Sequence, residues 1–384
     1  MSAPTPRPTL GLCLIVKNEA QWLGSLLHGM QPFVDEMLVV DTGSTDDTVA
    51  IAAAAGARVL HHPWDGNYGR ARNVYVDHAT TSWILVLDGD ESIAEVDRPS
   101  LRALMHAPEE VGGYTFTVRN YNQGVDLLSH WHGNTGDYPA EERRSECPGR
   151  SEFDVVRLFR RAPGIRYDER PSTHTNPIRA IRAQGRIIRH TDVVIHHFQW
   201  LKGGAAFVAA KQQARLADEI RHADAWPDES LPRLNVGRTL FSLERDDEAL
   251  RYLERAIAAD PDAAPPRLMR GLVLVEQQRI DEAIRDLRAA IDRAPGLADA
   301  HIVLGMAHHL AGRLAAAEAA LREALRLRPD HPLAHNSLGV VLMDDGRAAD
   351  AETHLRRALE ILPAYPTAAL NLVALYEQQG LRAE

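Results

Sequence analysis

The strongest constraint on the fold is a 34-residue period in the C-terminal part of the chain. Glycine recurs at this step, alanine recurs at two further positions, and proline recurs at a fourth. Agreement of four position sets over four repeats is far beyond chance. Small residues at helix contacts, with a closing proline, predict stacked helix–turn–helix units. The recurring residues are Gly237, Gly271, Gly305 and Gly339; Ala249, Ala283, Ala317 and Ala351; Ala256, Ala290, Ala324 and Ala358; and Pro261, Pro295, Pro329 and Pro363.

The period also divides the chain into parts. Four repeats and a fifth first helix, Thr367–Gly380, which would cap the stack, occupy residues 232–384. Residues 201–231 have an amphipathic helical pattern and are predicted to be a linker. A chain of 384 residues exceeds the usual size of one hydrophobic core, so we expect a separate domain over residues 8–200.

Residues 10–118 alternate short apolar runs with helical patterns, beginning with a predicted strand at Leu10–Val16. This alternation predicts a mainly parallel sheet with helices on its faces. Residues 119–152 are rich in Gly, His, Trp and charge and are predicted to be a long loop, of a length that is usually either functional or disordered. Strands are predicted again at Phe153–Phe159 and Val193–Phe198.

Two of the predicted strands end in carboxylates. One runs into Asp41, and the other, Trp83–Leu87, runs into Asp88, Asp90 and Glu91. In an open α/β sheet, ligands bind in the crevice beyond the carboxyl ends of the strands. Clustered carboxylates repel one another unless a cation or hydrogen-bond donors join them. The pattern therefore predicts a site for a metal-bound phosphate ligand.

Composition excludes several classes of protein. The net charge is −10, from 43 basic and 53 acidic residues, and no basic tail is present, so a nucleic-acid partner is disfavoured. The two cysteines, Cys13 and Cys147, do not suggest a disulfide framework and fit a reducing compartment. The Pro-rich start has no signal-peptide core, and no run approaches the ~20 apolar residues of a transmembrane helix. We expect a soluble, cytoplasmic protein.

Together these motifs resemble the family-2 glycosyltransferases of the GT-A fold, and the 34-residue units resemble tetratricopeptide repeats. The resemblance implies a mixed, mainly parallel, Rossmann-like α/β domain followed by an all-α superhelix. The last two matching segments resemble those of bacterial members that carry such repeats. The matching segments are Ile15–Ala20, Val39–Asp46, Ala71–Asn73, Leu85–Glu91, Val156–Arg160 and His197–Trp200.

The resemblance implies roles for particular residues. Asp41 resembles the acid that recognises the nucleotide base, and Asp88 and Asp90 match a DxD pair, the first near the ribose and the second on a metal. Oxygen ligands favour Mg²⁺ or Mn²⁺, which would bridge the diphosphate. His197 is a candidate for a further metal ligand. The residues assigned to the nucleotide sugar are Val16, Lys17, Asn18, Glu19, Asp41, Gly43, Ser44, Arg72, Asp88 and Gly89.

The general base is where the chain departs from the family pattern. Relatives place a His-Glu pair where this chain has Ser172–Asn176, so the histidine is present and the acid is not. An inverting transfer needs one group to take the acceptor's proton, although a thiol acceptor would need less help. The open candidates are His174, Glu169, Asp168, Glu141 and Glu142.

The resemblance implies a metal-dependent transfer of a sugar from a nucleotide-sugar donor, with UDP-sugars favoured, by direct displacement with inversion. The acceptor would be a peptide, a protein or a glycan. The alternative is a nucleotide-binding scaffold that lacks turnover and acts through its repeats, which the missing acid favours. A sugar nucleotidylyltransferase should have a Gly-rich loop bearing Arg or Lys after the first strand, and this chain has none.

One face of the first helices of the repeats is predicted to be an apolar stripe. Proteins in water rarely leave such a stripe exposed. We therefore expect a second copy of the chain or an apolar peptide to cover it, and favour a homodimer because symmetric pairs are common. The positions are Leu234, Leu268, Ile302, Asn336 and Leu370, followed by Arg238, Leu272, Met306, Val340 and Ala374.

Overall fold

The computed structural model describes residues 7–122, 130–133, 149–169, 176–197, 204–363 and 365–380. The chain forms two compact units. The first is built from residues up to 121 and from 152 to 202, and the second is built mainly on residues 203–384. In the described ranges, no helix is long and apolar enough to cross a membrane.

The first unit is built around a mixed sheet, whose strands within the described residues run in the order β3-β2-β1-β4-β8-β6-β9-β5. Strands β3, β2, β1 and β4 are mutually parallel, whereas β8 is antiparallel to β4 and β5 is antiparallel to β9. The predicted mixed, mainly parallel sheet is confirmed. The strands are β1 Leu10–Val16, β2 Glu36–Asp41, β3 Arg58–His61, β4 Trp83–Val86, β5 Glu91–Ile93, β6 Val111–Asn122, β7 His130–Gly133, β8 Gly149–Arg160 and β9 Ile187–His197.

Helices cover both faces of the parallel strands. Leu12 and Leu14 of β1 pack in one apolar cluster with α1, whereas Cys13 packs in a second cluster with Tyr75 of α3. Burial on both faces explains why these strands appear in the sequence as continuous apolar runs. The helices of this unit are α1 Ala20–Met30, α2 Thr48–Ala54, α3 Tyr68–His78, α4 Ser100–Leu104 and α5 Ile178–Ala183.

The limits predicted for the long loop, residues 119 and 152, are wrong. Strand β6 continues to residue 122 and β8 begins at residue 149, with β7 between them. Near the end of β6, Val118 and Tyr121 are buried, whereas Arg119 and Asn120 are partly exposed. The strand was not predicted here because its partly exposed positions carry charged and polar side chains, which are typical of loops.

The second unit consists of paired helices, as the 34-residue period predicted. The stretch predicted as a linker contains α6, which packs against α7. Four pairs follow, and α15 is the fifth first helix. The helices are α6 Gly204–Ala225, α7 Ser230–Ser242, α8 Asp246–Ala259, α9 Ala264–Glu276, α10 Ile280–Arg293, α11 Ala298–Leu310, α12 Leu314–Leu327, α13 Pro332–Asp344, α14 Ala348–Ile361 and α15 Pro366–Gln378.

The recurring glycines are explained by a repeated close contact within each pair. A Cβ atom added at Gly305 would lie 2.5 Å from Cγ of Leu321, which is closer than real carbon atoms approach. The same clash would occur at the other three glycines, each with the leucine sixteen positions later. Glycine therefore lets the two helices of each repeat pack closely around one leucine.

The prediction of an exposed apolar stripe is wrong for most of its length. The apolar clusters of the second unit bury Leu234, Leu268, Ile302 and Leu272. By contrast, Leu370 is 69% exposed. The stripe follows a sequence pattern, but its burial depends on packing that the pattern does not specify. A homodimer was expected to cover an open stripe. Because much of the stripe is already buried within the repeats, that expectation has no support.

We predict that Gly305→Ala destabilises the second unit. The added methyl group must displace Leu321, and overpacking of this kind costs about 1–3 kcal/mol, against a gain of up to about 1 kcal/mol in helix propensity. Thermal unfolding followed by helical circular dichroism measures the loss. The matched control is Gly296→Ala, where an added Cβ meets nothing within 4 Å. Equal melting of the two variants would contradict the close-contact explanation.

Candidate functional site

The loops that follow β1 and β2 are joined into one rim. The backbone N–H of Asn18 donates to the Ser44 hydroxyl at 3.0 Å, and the side-chain oxygen of Asn18 accepts from the Thr45 N–H at 2.8 Å. The Glu19 N–H donates to the Thr48 hydroxyl at 2.7 Å. Asn18 adopts a φ of 57°, a left-handed conformation that asparagine tolerates better than most residues. The rim is fixed by side chains of both loops.

Asp41 ends β2 at this rim and is nearly buried. Its carboxylate accepts the backbone N–H of Gly43 at 3.1 Å and that of Ser44 at 3.1 Å. Burial alone would raise the pKa of Asp41, but the hydrogen bonds from Ser44 and Gly43 outweigh it, and the pKa is lowered. Gly43 adopts a φ of 106°, which an L side chain would strain. Asp41 is therefore an oriented, ionised acceptor.

The second acidic segment is the turn between β4 and β5. The Asp88 backbone N–H donates to the Glu91 carboxylate at 2.9 Å, and the Glu91 N–H donates to the Asp88 carbonyl at 3.0 Å. Arg157 of β8 donates to Asp88 at 3.2 Å and to Glu91 at 2.5 Å. Glu91 was expected to lie in the crevice with the other acids. The structure instead shows a buried Glu91 whose two carboxylate oxygens are taken by the Asp88 N–H and by Arg157.

Burial and the nearby arginines set the charges of this turn. Burial would raise the pKa of Asp88, but Arg157 and Arg72 lower it further than burial raises it. Burial raises the pKa of Glu91 to about 7, although the charge of Arg157 opposes the shift. Asp88 is thus the ionised, partly exposed acid of the pair, and Glu91 is its internal partner.

Asp90 and His197 meet on the other side of the turn. Nε2 of His197, at the end of β9, lies 3.3 Å from Oδ2 of Asp90. Burial would lower the pKa of His197, but the charge of Asp90 and their hydrogen bond raise it. The partly buried pair therefore offers one oxygen atom and one nitrogen atom that could coordinate a cation.

The Asp90–His197 pair fits part of a metal site. Among the residues that the structure describes, no group of three His, Cys, Asp or Glu side chains could hold a metal ion. Mg²⁺ commonly uses one or two carboxylates and takes its other ligands from water and substrate phosphates. The pair is therefore suited to an ion whose coordination a phosphate ligand completes, and not to a closed protein cage.

Arg72 of α3 is held between two aromatic rings. Its guanidinium carbon lies 5.8 Å from the ring centroid of Tyr68 and 5.5 Å from that of Tyr167. Its Nη2 atom is 3.9 Å from Oδ1 of Asp88. Stacking on aromatic faces suits the planar guanidinium and restricts its movement. A fixed positive charge therefore lies beside the acidic turn.

The segment that contains Asp168 and Glu169 is clamped against α3. The Asn73 side chain accepts the Tyr167 N–H at 2.9 Å, donates to the Tyr167 carbonyl at 3.0 Å, and donates to the Glu169 carboxylate at 2.8 Å. A Cβ at Gly69 would lie 2.0 Å from the Asp168 carbonyl oxygen, so only glycine permits this approach. Glu169 is exposed but oriented by Asn73.

The remaining predicted residues are placed as follows. Val16 is buried at the end of β1, where its carbonyl accepts the Thr42 N–H at 2.9 Å, whereas Lys17 is exposed. A Cβ at Gly89 would lie 2.8 Å from Cγ of Glu19, so the acidic turn packs against the β1 loop. The base candidates His174, Glu141 and Glu142 lie outside the described residues.

The sequence did not identify the partners of Arg157, Asn73 and Tyr167. Arg157 and Asn73 lie within segments that carried the family resemblance, but their partners are distant in the chain. Arg157 is 66 residues from Glu91, and Asn73 is 94 residues from Tyr167. The signal that could have found them was the recurrence of charged or amide side chains in otherwise apolar surroundings.

Comparison with known proteins agrees with this geometry. The family Glycosyl transferase family 2 matches residues 12–163, and tetratricopeptide repeat families match residues 233–259, 268–332 and 311–369. The first unit is therefore a glycosyltransferase family 2 domain, and the second is a set of tetratricopeptide repeats.

Three curated relatives match parts of the chain. A TPR repeat-containing protein of Synechococcus elongatus is 43% identical over 28% of this chain and 26% of its own length. An uncharacterized glycosyltransferase of Rickettsia felis is 40% identical over 21% of this chain and 29% of its own. The lipopolysaccharide core biosynthesis glycosyltransferase LpsC of Rhizobium meliloti is 28% identical over 44% of this chain and 57% of its own. The chain spans less than two thirds of each.

We predict that Asn73→Ala destabilises the α/β unit. The change leaves the buried N–H and carbonyl of Tyr167 without their side-chain partner, at about 1–3 kcal/mol for each unpaired group. The melting temperature of this unit should fall by at least about 4 °C, as measured by calorimetry. Asn336→Ala, which removes one partly buried hydrogen bond from Asn371 in the repeats, is the control. A parent-like transition for Asn73→Ala would contradict the clamp.

Proposed function

We propose that the α/β unit transfers a sugar from a nucleotide-sugar donor to an acceptor. The observation that carries the proposal is the grouping of Asp41, Asp88 and Asp90 with Arg72 at the carboxyl ends of parallel strands that flank β1. The contact between Gly89 and Glu19 links the two acidic segments through the β1 loop. This is the edge of an α/β sheet where ligands bind.

In this proposal each charged group has one task. Asp41 accepts an N–H of the nucleotide base, and Asp88 accepts a ribose hydroxyl, with a UDP-sugar as the favoured donor. Arg72 and the exposed Lys17 bind diphosphate oxygens, which suit both arginine and lysine. Asp90 and His197 would hold Mg²⁺ or Mn²⁺. When bound there, the ion supplies positive charge beside the diphosphate.

The proposed reaction is direct displacement at the anomeric carbon. The acceptor oxygen or sulfur forms a bond to this carbon as the bond to the nucleoside diphosphate breaks, so the configuration inverts. The acceptor's proton passes to a base on the protein. Glu169 is supported as this base by its exposure and by the hydrogen bond that Asn73 donates to it. His174 and Asp168 remain the other candidates.

Two observations bear on the acceptor. LpsC is named for lipopolysaccharide core biosynthesis, which supports a glycan acceptor. The tetratricopeptide repeats support a peptide or protein acceptor, because repeat superhelices present extended binding surfaces. Both acceptor classes are part of the proposal.

The metal component predicts the behaviour of Asp90→Asn. The substitution keeps the size of a nearly buried side chain but removes the charge that faces a bound cation. Turnover and Mn²⁺-dependent affinity for nucleoside diphosphate should fall at least about tenfold, because a charged group at such a site is worth several kcal/mol. Asp262→Ala, which changes a fully exposed carboxylate in the repeats, is the control. Undiminished activity of Asp90→Asn, or of the parent in excess EDTA, would refute metal dependence.

A second prediction separates an enzyme from a nucleotide-binding scaffold. Removal of the base should lower kcat far more than it raises the KM for the donor, because the base acts in the transition state. Glu169→Gln, His174→Ala and Asp168→Asn are compared with the parent by steady-state kinetics, and one of them should lose about 10²-fold or more in kcat. If none does, Glu141 and Glu142 are tested next. A parent that binds nucleotide tightly without turnover would establish the scaffold.

A further inference from the structure

Glu91, at the end of the acidic turn, and Arg157 form a buried ion pair. The side chain of Glu91 is 1% exposed and that of Arg157 is 8% exposed. Neither residue belongs to the groups that face the donor in the proposed function. Yet both contact Asp88, which does face the donor, and these contacts run through both its backbone and its side chain.

The contacts fix Asp88 from three directions. One Glu91 oxygen accepts the Asp88 N–H, and the other accepts Nη2 of Arg157. The same Nη2 donates to Oδ2 of Asp88, which leaves Oδ1 on the side of Arg72. The orientation of the Asp88 carboxylate therefore depends on a guanidinium that is shared between two acids.

Glu91 also joins the turn to the second half of the site. Its backbone is paired with His197 across β5 and β9, and the residue before it is Asp90, which contacts His197 at 3.3 Å. One residue thus holds Asp88 through its side chain and the Asp90–His197 pair through its backbone. A shift of Glu91 would move both.

A contribution to stability alone does not account for this arrangement. Removing two charges from water is expensive, and replacing a buried ion pair by apolar side chains of similar volume is often neutral or stabilising. Two apolar side chains in place of Glu91 and Arg157 would also fill the space. What apolar side chains cannot do is donate to the Asp88 carboxylate or accept its N–H.

We propose that Glu91 and Arg157 are positioning residues for glycosyl transfer, which set the orientation of the Asp88–Asp90 turn without touching the donor. This inference rests on the proposed function of the site. Misplacement of binding groups by about 1 Å can cost 10²-fold in rate. The pair therefore governs donor use through geometry.

Glu91→Gln is the direct test. The variant keeps the shape of the side chain and an oxygen for the Asp88 N–H, but it loses the ionic hold on Arg157. Calorimetric titration with UDP in the presence of Mn²⁺, and kcat and KM for the donor that the parent uses, are the readouts. We expect kcat/KM to fall at least about tenfold, with weaker UDP binding. Parent-like values in a folded variant overturn the proposal.

The control is another largely buried ion pair that lies in the repeats. Arg270 donates to Asp286 at 2.5 and 2.7 Å, and Asp286→Asn removes the charge of that pair as Glu91→Gln does here. Asp286→Asn should lower the melting temperature of its own unit and leave UDP binding and kcat/KM unchanged. If it lowers kcat/KM as much as Glu91→Gln does, the effect is a general loss of stability and the positioning role is overturned.

Arg157→Lys is the second variant and keeps the test decisive if Glu91→Gln fails to fold. Lysine retains the positive charge but carries it at the end of a flexible stem, so it lacks the rigid guanidinium plane that fixes Nη2 between the two carboxylates. It should lose kcat/KM to a similar extent, and the double variant should be no worse than the worse single variant, since the two act as a unit. An Arg157→Lys variant with parent kinetics overturns the proposal. A parent that neither binds UDP nor turns over any donor overturns the proposed function instead.

Discussion

Charge compensation at the carboxyl ends of β2 and β4 is the constraint on which the α/β unit depends. Three carboxylates of one turn, Asp88, Asp90 and Glu91, lie within one short segment, and their repulsion must be offset inside the protein. The parallel strands carry the acids, whereas β8 supplies Arg157 and β9 supplies His197. The later strands of the mixed sheet therefore deliver the compensating groups: β8 runs antiparallel to β4, and β9 pairs antiparallel with β5.

The same constraint explains how the outer parts of the site are arranged. Arg72 contacts Asp88 while lying over two aromatic rings, and one of these rings belongs to the segment that Asn73 clamps to α3. That clamp also orients Glu169. The packing of one loop against one helix thus links the positions of Arg72 and Glu169. The Asn73 amide uses both its oxygen and its nitrogen in this clamp, which is how a buried polar group avoids the cost of an unpaired atom.

Much of this could be predicted from the sequence. The 34-residue period specified the helix pairs, since close packing around a leucine demands glycine at one position such as Gly305. The apolar runs before Asp41 and Asp88 predicted two buried strands correctly, because burial on both faces leaves a plain signal. The sequence did not reveal that Glu91 is internal or that Arg157 bridges two acids, because those contacts join residues far apart in the chain. The prediction that Leu268 lies on an open stripe failed for the same reason, because the burial of this residue depends on tertiary packing.

The central claim is that this site binds and uses a nucleotide sugar with the help of a divalent cation. The most direct measurement is the release of nucleoside diphosphate from a panel of UDP-, GDP- and dTDP-sugars, with Mn²⁺ and with EDTA. The account predicts release from one donor class, with UDP-sugars favoured, that stops when the metal is removed. Absence of both release and binding for every donor in the presence of Mn²⁺ would contradict it, as would release that is unaffected by EDTA.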